Sequence, residues 1–236
     1  MDDKAVLEKF LNFNLDSAEN VLAEFARLDN ARYQGSTHPL ESFVYIPGSR
    51  EDRVLLVAHA DTVFGNQGKH KIIFEDGKYK SGEPDVGIGA DDRAGCAILY
   101  LLKDMGHSLL ITNGEELHCL GSYAIKAFYP ELYAELNEHQ YIIQFDRQRS
   151  HDYKVYNIPV SLEFKNFIEK NTGYSEPDKR SNTDITVLCS KICGVNLSIG
   201  YYREHKHDEY LVYDEWKHTL DIARKMLEGK QPKFPL

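Results

Sequence analysis

The chain has 236 residues, 42% of them hydrophobic, and carries 37 acidic against 28 basic side chains, a formal charge of −9. That length and apolar content suffice for one large domain or two small ones, and 11% aromatic residues argue against disorder. The acidic balance argues against a nucleic-acid partner, and no run approaches the ~18 apolar residues that cross a bilayer, so no membrane association is expected.

Residues 1–28 repeat with helical spacing, Leu7, Phe10 and Leu11 on one face, then Val21, Leu22, Phe25 and Leu28 on another, with Asp16 or Ser17 as a cap for the second helix. SFVYIPG (42–48) reads as a strand, and the nearly continuous apolar run VLLVAHA (54–60) as a strand buried on both faces. HKIIFEDGKYKSG (70–82) reads as a hairpin turning at Asp76-Gly77 and leads into a Gly-rich loop, GEPDVGIGADD (82–92). Then follow a helix (93–105), a strand (108–114), a helix (122–128), a strand (141–146) and a helix (161–173). Segment 185–191 reads as helix or strand, 195–202 as a strand and 213–230 as a closing helix. Such alternation predicts an α/β fold, a single domain over residues 1–236 whose mixed, largely parallel sheet is sandwiched between helices.

Cys96, Cys119, Cys189 and Cys193 form no C-x-x-C pair, which disfavours a thiolate zinc site. The opening MDDKAVLEKF lacks a signal-peptide apolar block, so the thiols are expected reduced and the protein cytoplasmic.

Ligands of parallel sheets sit beyond the C-terminal strand ends. His59 and Asp61 follow the run at 54–60, Glu115 and Glu116 the strand at 108–114, Asp146 the strand at 141–146, and His205 the strand at 195–202; Asp91 lies in the Gly-rich loop. Two imidazoles with several carboxylates and no thiolate suit zinc, cobalt or manganese in a hydrolytic site. Asp61, two residues from His59, shares its face in a strand and can fix its tautomer. Adjacent Glu115 and Glu116 point different ways, so one can bind metal while the other serves as base.

Five ordered motifs carry a family resemblance: H-A-D-T-V (59–63), G-A-D-D-R-A-G (89–95), T-N-G-E-E (112–116), F-D (145–146) and H-K-H-D-E (205–209), with 32, 25 and 30 residues separating His59, Asp91, Glu116 and Asp146. From about residue 40 onward the chain resembles the co-catalytic di-zinc exopeptidases, the superfamily of zinc aminopeptidases, carboxypeptidases and tripeptidases. The resemblance implies two divalent ions, zinc first, bridged by Asp91, with His59 and Asp146 on one and Glu116 and His205 on the other. It further implies that Asp61 orients His59, that Glu115 is the general base, and that Glu209 supports the site. His205 is selected over His207 because it precedes an acid by four positions. Ser181-Asn182-Thr183-Asp184 resembles a motif beside the family's substrate pocket, so Thr183 and Asp184 are substrate-binding candidates.

Two departures stand out. His118 occupies a position where the family usually has glycine. No large lid and dimerisation domain follows Asp146, since only residues 147–160 precede the next helix. A lidless chain needs another donor for the developing oxyanion, and Tyr174, Tyr201 and Arg180 are the candidates. The expected activity is removal of terminal residues from short peptides, an aminopeptidase first, with homo-oligomerisation left open. The alternatives are hydrolysis of an N-acyl amino acid at the same site, or a catalytically silent metal-binding interaction module.

Overall fold

The computed structural model describes residues 2–35, 38–65, 68, 70–177 and 183–236. Its first half holds helices α1 (Asp3–Leu11) and α2 (Ala18–Ala26), strands β1 (Arg32–Gln34), β2 (Phe43–Ile46) and β3 (Leu55–His59), the hairpin β4 (Ile72–Glu75) and β5 (Lys78–Ser81), α3 (Ala90–Leu102) and β6 (Ser108–Thr112). Then follow α4 (Leu120–Phe128), α5 (Pro130–Leu136), β7 (Ile142–Arg147), β8 (Tyr153–Lys154), α6 (Leu162–Thr172) and α7 (Ile185–Leu188). The chain closes with β9 (Gly194–Ser198), β10 (Tyr201–Tyr202), β11 (Tyr210–Val212) and α8 (Tyr213–Glu228).

The main sheet runs β1-β2-β6-β3-β7-β9-β8. Its centre, β6-β3-β7-β9, is parallel, and β1, β2 and β8 add antiparallel edges. Every residue of the four central strands is buried, because helices cover both faces. The period of two is visible on β3. Leu56 and Ala58 join a core with Phe10, Phe25, Ile98 and Trp216, while Leu55 and Val57 join Ile125, Leu136 and Ile185 on the other side. A mixed α/β sandwich is the observed fold class.

A second, antiparallel sheet of order β10-β11-β5-β4 lies outside the sequence expectation. It arises because the run at 195–202 is two strands and not one. Gly200 sits at φ 85°, a left-handed conformation that glycine adopts without penalty, and turns Tyr201 and Tyr202 away to pair with β11. The expected hairpin does turn at Asp76 and Gly77, both at positive φ, as a two-residue hairpin turn requires. Segment 185–191 resolves as helix α7 followed by a bend. Ser17 takes the N-cap position of α2 without a side-chain hydrogen bond. Among the described residues no helix is long and apolar enough to cross a membrane.

Burial of His139 is expected to make the fold acid-sensitive. His139 is 1% exposed, with Nδ1 2.9 Å from the Leu136 carbonyl and Nε2 2.7 Å from Ser108 Oγ, the pattern of a neutral ring that donates from Nδ1 and accepts at Nε2. Burial above all pushes its pKa down to about 4, against ~6.5 in an unfolded chain. Between those values the unfolded state holds a proton that the folded state lacks, so this stability is complete above the unfolded pKa and is lost as pH falls toward the folded one. Acidification from neutrality to about pH 4 is expected to remove about 3 kcal/mol through this residue. Denaturant melts of wild type and His139→Gln across that range check it, and parallel pH curves would acquit His139.

Candidate metal centre

The central strands all end at one rim, where the ends of β3 and β7 and the segments after β5, β6 and β10 bring five sequence-distant side chains together. His59 closes β3, with Nε2 3.2 Å from Asp91 Oδ1 and 3.5 Å from Asp146 Oδ1. His205 approaches from beyond Gly200, with Nε2 3.3 Å from Asp91 Oδ2 and 3.0 Å from Glu116 Oε2. Asp91 therefore stands between the two imidazoles and presents a different oxygen to each. The cluster opens into a cleft of about 140 Å³ whose walls also include Glu115, Thr183 and Tyr201.

Each member is held from behind. The Asp61 carboxylate accepts the backbone N–H groups of Glu115 and Glu116, both at 3.2 Å, while the Asp61 backbone carbonyl lies 3.1 Å and its Oδ1 3.3 Å from His59 Nδ1, which leaves Nε2 facing Asp91 and Asp146. Asp146 Oδ2 accepts from Gln144 Nε2 (2.9 Å) and Thr183 Oγ1 (2.8 Å), so its Oδ1 is the oxygen turned to His59. Glu209, 1% exposed, accepts from the backbone N–H groups of Ile88, Gly89 and Asp91; it supports the loop that carries Asp91. Asp92 accepts from the backbone N–H groups of His59 and Gly95. Helix α3 is regular only from Arg93 onward, as the sequence reading places it. Gly95 allows that helix to press on β7, since a Cβ there would meet the Phe145 carbonyl oxygen at 2.0 Å.

Burial and mutual repulsion dominate the electrostatics. Glu115 is pushed up to about 9, first by burial and then by Asp146, Asp184 and Asp91, against an opposing pull from His59. Burial and Asp91 raise Glu116, and burial, opposed by His59, brings Asp146 to about 7. Hydrogen bonding to Asp91 and Glu116 lifts His205 to about 11. His59 is pulled down by burial but lifted further by Asp146, Asp61 and Asp91, and ends well above its ordinary value. A pocket that drives its imidazoles to hold protons is one that calls for positive charge. Glu116 Oε1 is buried and has no hydrogen-bond partner among the described residues, a lone pair free for a cation. The group His59, Asp91 and Glu116 offers donor atoms within 4.8 Å of one another, as does His59, Asp92 and Asp146. Unprotonated oxygen and imidazole donors at this spacing fit divalent zinc, cobalt or manganese.

Two substrate candidates fall elsewhere. Tyr174 is buried in the core, its hydroxyl 2.6 Å from Thr219 Oγ1, because α8 packs over it. Asp184, fully buried, spends its carboxylate on Thr112 Oγ1 (2.5 Å) and Ser122 Oγ (2.6 Å), so it ties α7 to β6 and α4 and does not face the cleft. Arg180, with Ser181 and Asn182, lies outside the described residues. Tyr201 does reach the cluster, its hydroxyl 3.4 Å from Asp146 Oδ1. His118 is exposed at φ 67°, the conformation that makes glycine the easier residue there. Gln144 was missed, although a lone amide inside the apolar run YIIQF, two residues before Asp146 and on the same strand face, was a usable signal.

No protein-family model matches the chain, and no curated protein sequence matches it. Solved structures do. Aminopeptidase PepT from Bacillus cereus is 14% identical over 97% of this chain and 98% of its own, with a TM-score of 0.72. A tripeptidase from Staphylococcus aureus is 13% identical over 97% and 98%, with a TM-score of 0.70. The TET1 peptidase of Pyrococcus horikoshii, described as assembling into a tetrahedron or a large octahedral shell, is 14% identical over 96% and 99%, with a TM-score of 0.62. The chain shares the fold of these peptidases.

Proposed function

We propose that this chain is a metal-dependent exopeptidase, an aminopeptidase acting on short peptides from a single catalytic domain without an inserted lid. The observation that carries the reading is the convergence of His59, Asp91, Glu116, Asp146 and His205 from five separate segments onto one cleft. Asp91 would bridge two ions, with His59 and Asp146 holding one and Glu116 and His205 the other. When bound, the ions supply Lewis acidity that polarises a scissile carbonyl and acidifies water.

The protein's own groups divide the remaining work. Glu115 takes the proton of the attacking water and returns it to the departing amine. Asp61 fixes the His59 tautomer and, through two backbone N–H groups, the placement of Glu115 and Glu116. Gln144 and Thr183 keep one oxygen of Asp146 turned to the cleft. Tyr201, whose hydroxyl reaches Asp146 Oδ1 at 3.4 Å, is the proposed oxyanion donor. The TET1 likeness supports a homo-oligomeric form, and four unpaired thiols fit a reducing, cytoplasmic setting.

Elemental analysis of the purified protein and a panel of free-amine peptides and N-acyl amino acids test this reading. About two zinc-like ions per chain, cleavage of free-amine peptides, and loss of cleavage on chelation with return on adding zinc are expected. Preferential cleavage of N-acyl amino acids would make the chain a deacylase instead, bound metal without turnover would leave the silent metal-binding module, and absence of both would overturn the metal-site reading.

A further inference from the structure

We infer that Glu204 is the specificity residue that binds the α-ammonium group of a peptide substrate. The inference rests on the two-ion peptidase reading. Five carboxylates line the cleft, those of Asp91, Glu115, Glu116, Asp146 and Glu204. Four of them match two divalent cations charge for charge. Glu204 is the fifth, and the loaded cleft therefore keeps one negative charge at its wall.

Glu204 is half-buried and already oriented. Gln148, another residue of the cleft wall, donates from Nε2 to Glu204 Oε1. That contact fixes the carboxylate plane and leaves Oε2 to accept from a ligand. The opposite charge is already used. Arg147, the guanidinium in the wall, pairs with Asp152 through Nε–Oδ1 at 2.7 Å and Nη2–Oδ2 at 3.3 Å. A free amino terminus thus meets an available carboxylate, whereas the carboxylate of an N-acyl amino acid meets no uncommitted guanidinium among the described residues of the wall. The chemical class is an unblocked peptide, and blocked or des-amino analogues are disfavoured.

The test compares alanyl peptides with their N-acetyl and des-amino counterparts on zinc-loaded wild type, Glu204→Gln and Glu204→Asp. The glutamine keeps an oxygen for Gln148 and removes only the charge. Glu204→Gln is expected to raise KM for the free amine by roughly 10- to 100-fold with kcat within about threefold, and to leave the des-amino substrate unaffected; Glu204→Asp should fall between. Calorimetry with a nonhydrolysable α-amino dipeptide mimic and its des-amino form reads the same preference without turnover. Equal preference for the free amine in wild type and Glu204→Gln, with both cleaving peptides, overturns this assignment and leaves the peptidase reading intact. Wild-type protein that binds and cleaves no free-amine peptide overturns both.

Discussion

Glu115→Gln is expected to lower kcat by roughly 10²–10⁴ with little change in KM or bound metal. The glutamine matches the glutamate in volume and keeps the backbone N–H that Asp61 holds at 3.2 Å, so the change is confined to the group that accepts a proton. Glu115 Oε2 lies 3.9 Å from His59 Nε2, and Cys119 Sγ donates to Oε1 at 3.8 Å; neither contact is tight enough to hold the carboxylate from its work. Its pKa of about 9, raised first by burial, makes it a stronger base than an exposed glutamate, and positive charge in the cleft would bring that value back toward neutrality. Steady-state kinetics with metal analysis on the same preparation checks the expectation. Turnover at the wild-type rate would mean the base lies elsewhere, and loss of metal alongside activity would mean Glu115 is a ligand.

The second large effect is expected from Glu209→Ala, at a residue that does not line the cleft. Its two oxygens accept three backbone N–H groups, of Ile88, Gly89 and Asp91, at 2.7–3.1 Å. Truncation strands those donors in a buried loop, at about 3 kcal/mol of stability. It also frees Asp91, so metal affinity is expected to fall by about 10–100-fold. Burial and Asp91 push Glu209 up to about 8 against the pull of its three N–H donors. Glu209→Gln, which keeps one accepting oxygen, should recover part of both losses. Thermal melts with and without zinc, together with zinc titration, measure the two effects separately. Unchanged zinc affinity in Glu209→Ala would show that the loop holds Asp91 without it.

The central strands were readable because burial on both faces leaves a continuous apolar run, as in VLLVAHA and YIIQFD. The strand-end rule then carried the reading to the cleft, since a parallel sheet brings all its C-terminal ends to one rim whatever the sequence between them. The edge strands of the main sheet were not readable. The two residues of β8 and three of β1 are too short to show a period, and they form only because a neighbouring edge has unpaired N–H and C=O groups. The helix α5, which begins at Pro130, was likewise passed over.

Residue types and their order along the chain determined the α/β architecture, and their positions after strands nominated His59, Asp91, Glu116, Asp146 and His205. Side-chain direction was a matter for the tertiary structure alone. Thr183 and Asp184 are neighbours, yet one faces Asp146 at the cleft and the other is consumed by Thr112 and Ser122. Tyr174 and Tyr201 are both buried tyrosines, yet only Tyr201 reaches the cluster. Local sequence encodes backbone preference and burial, whereas which buried polar atom meets which partner depends on segments more than a hundred residues apart, as Glu209 and the Gly89 loop demonstrate. The turn at Gly200 belongs to the same class. One glycine inside an apolar run became a break because packing against α8 needed it, and that break delivers His205 to Asp91 and Glu116.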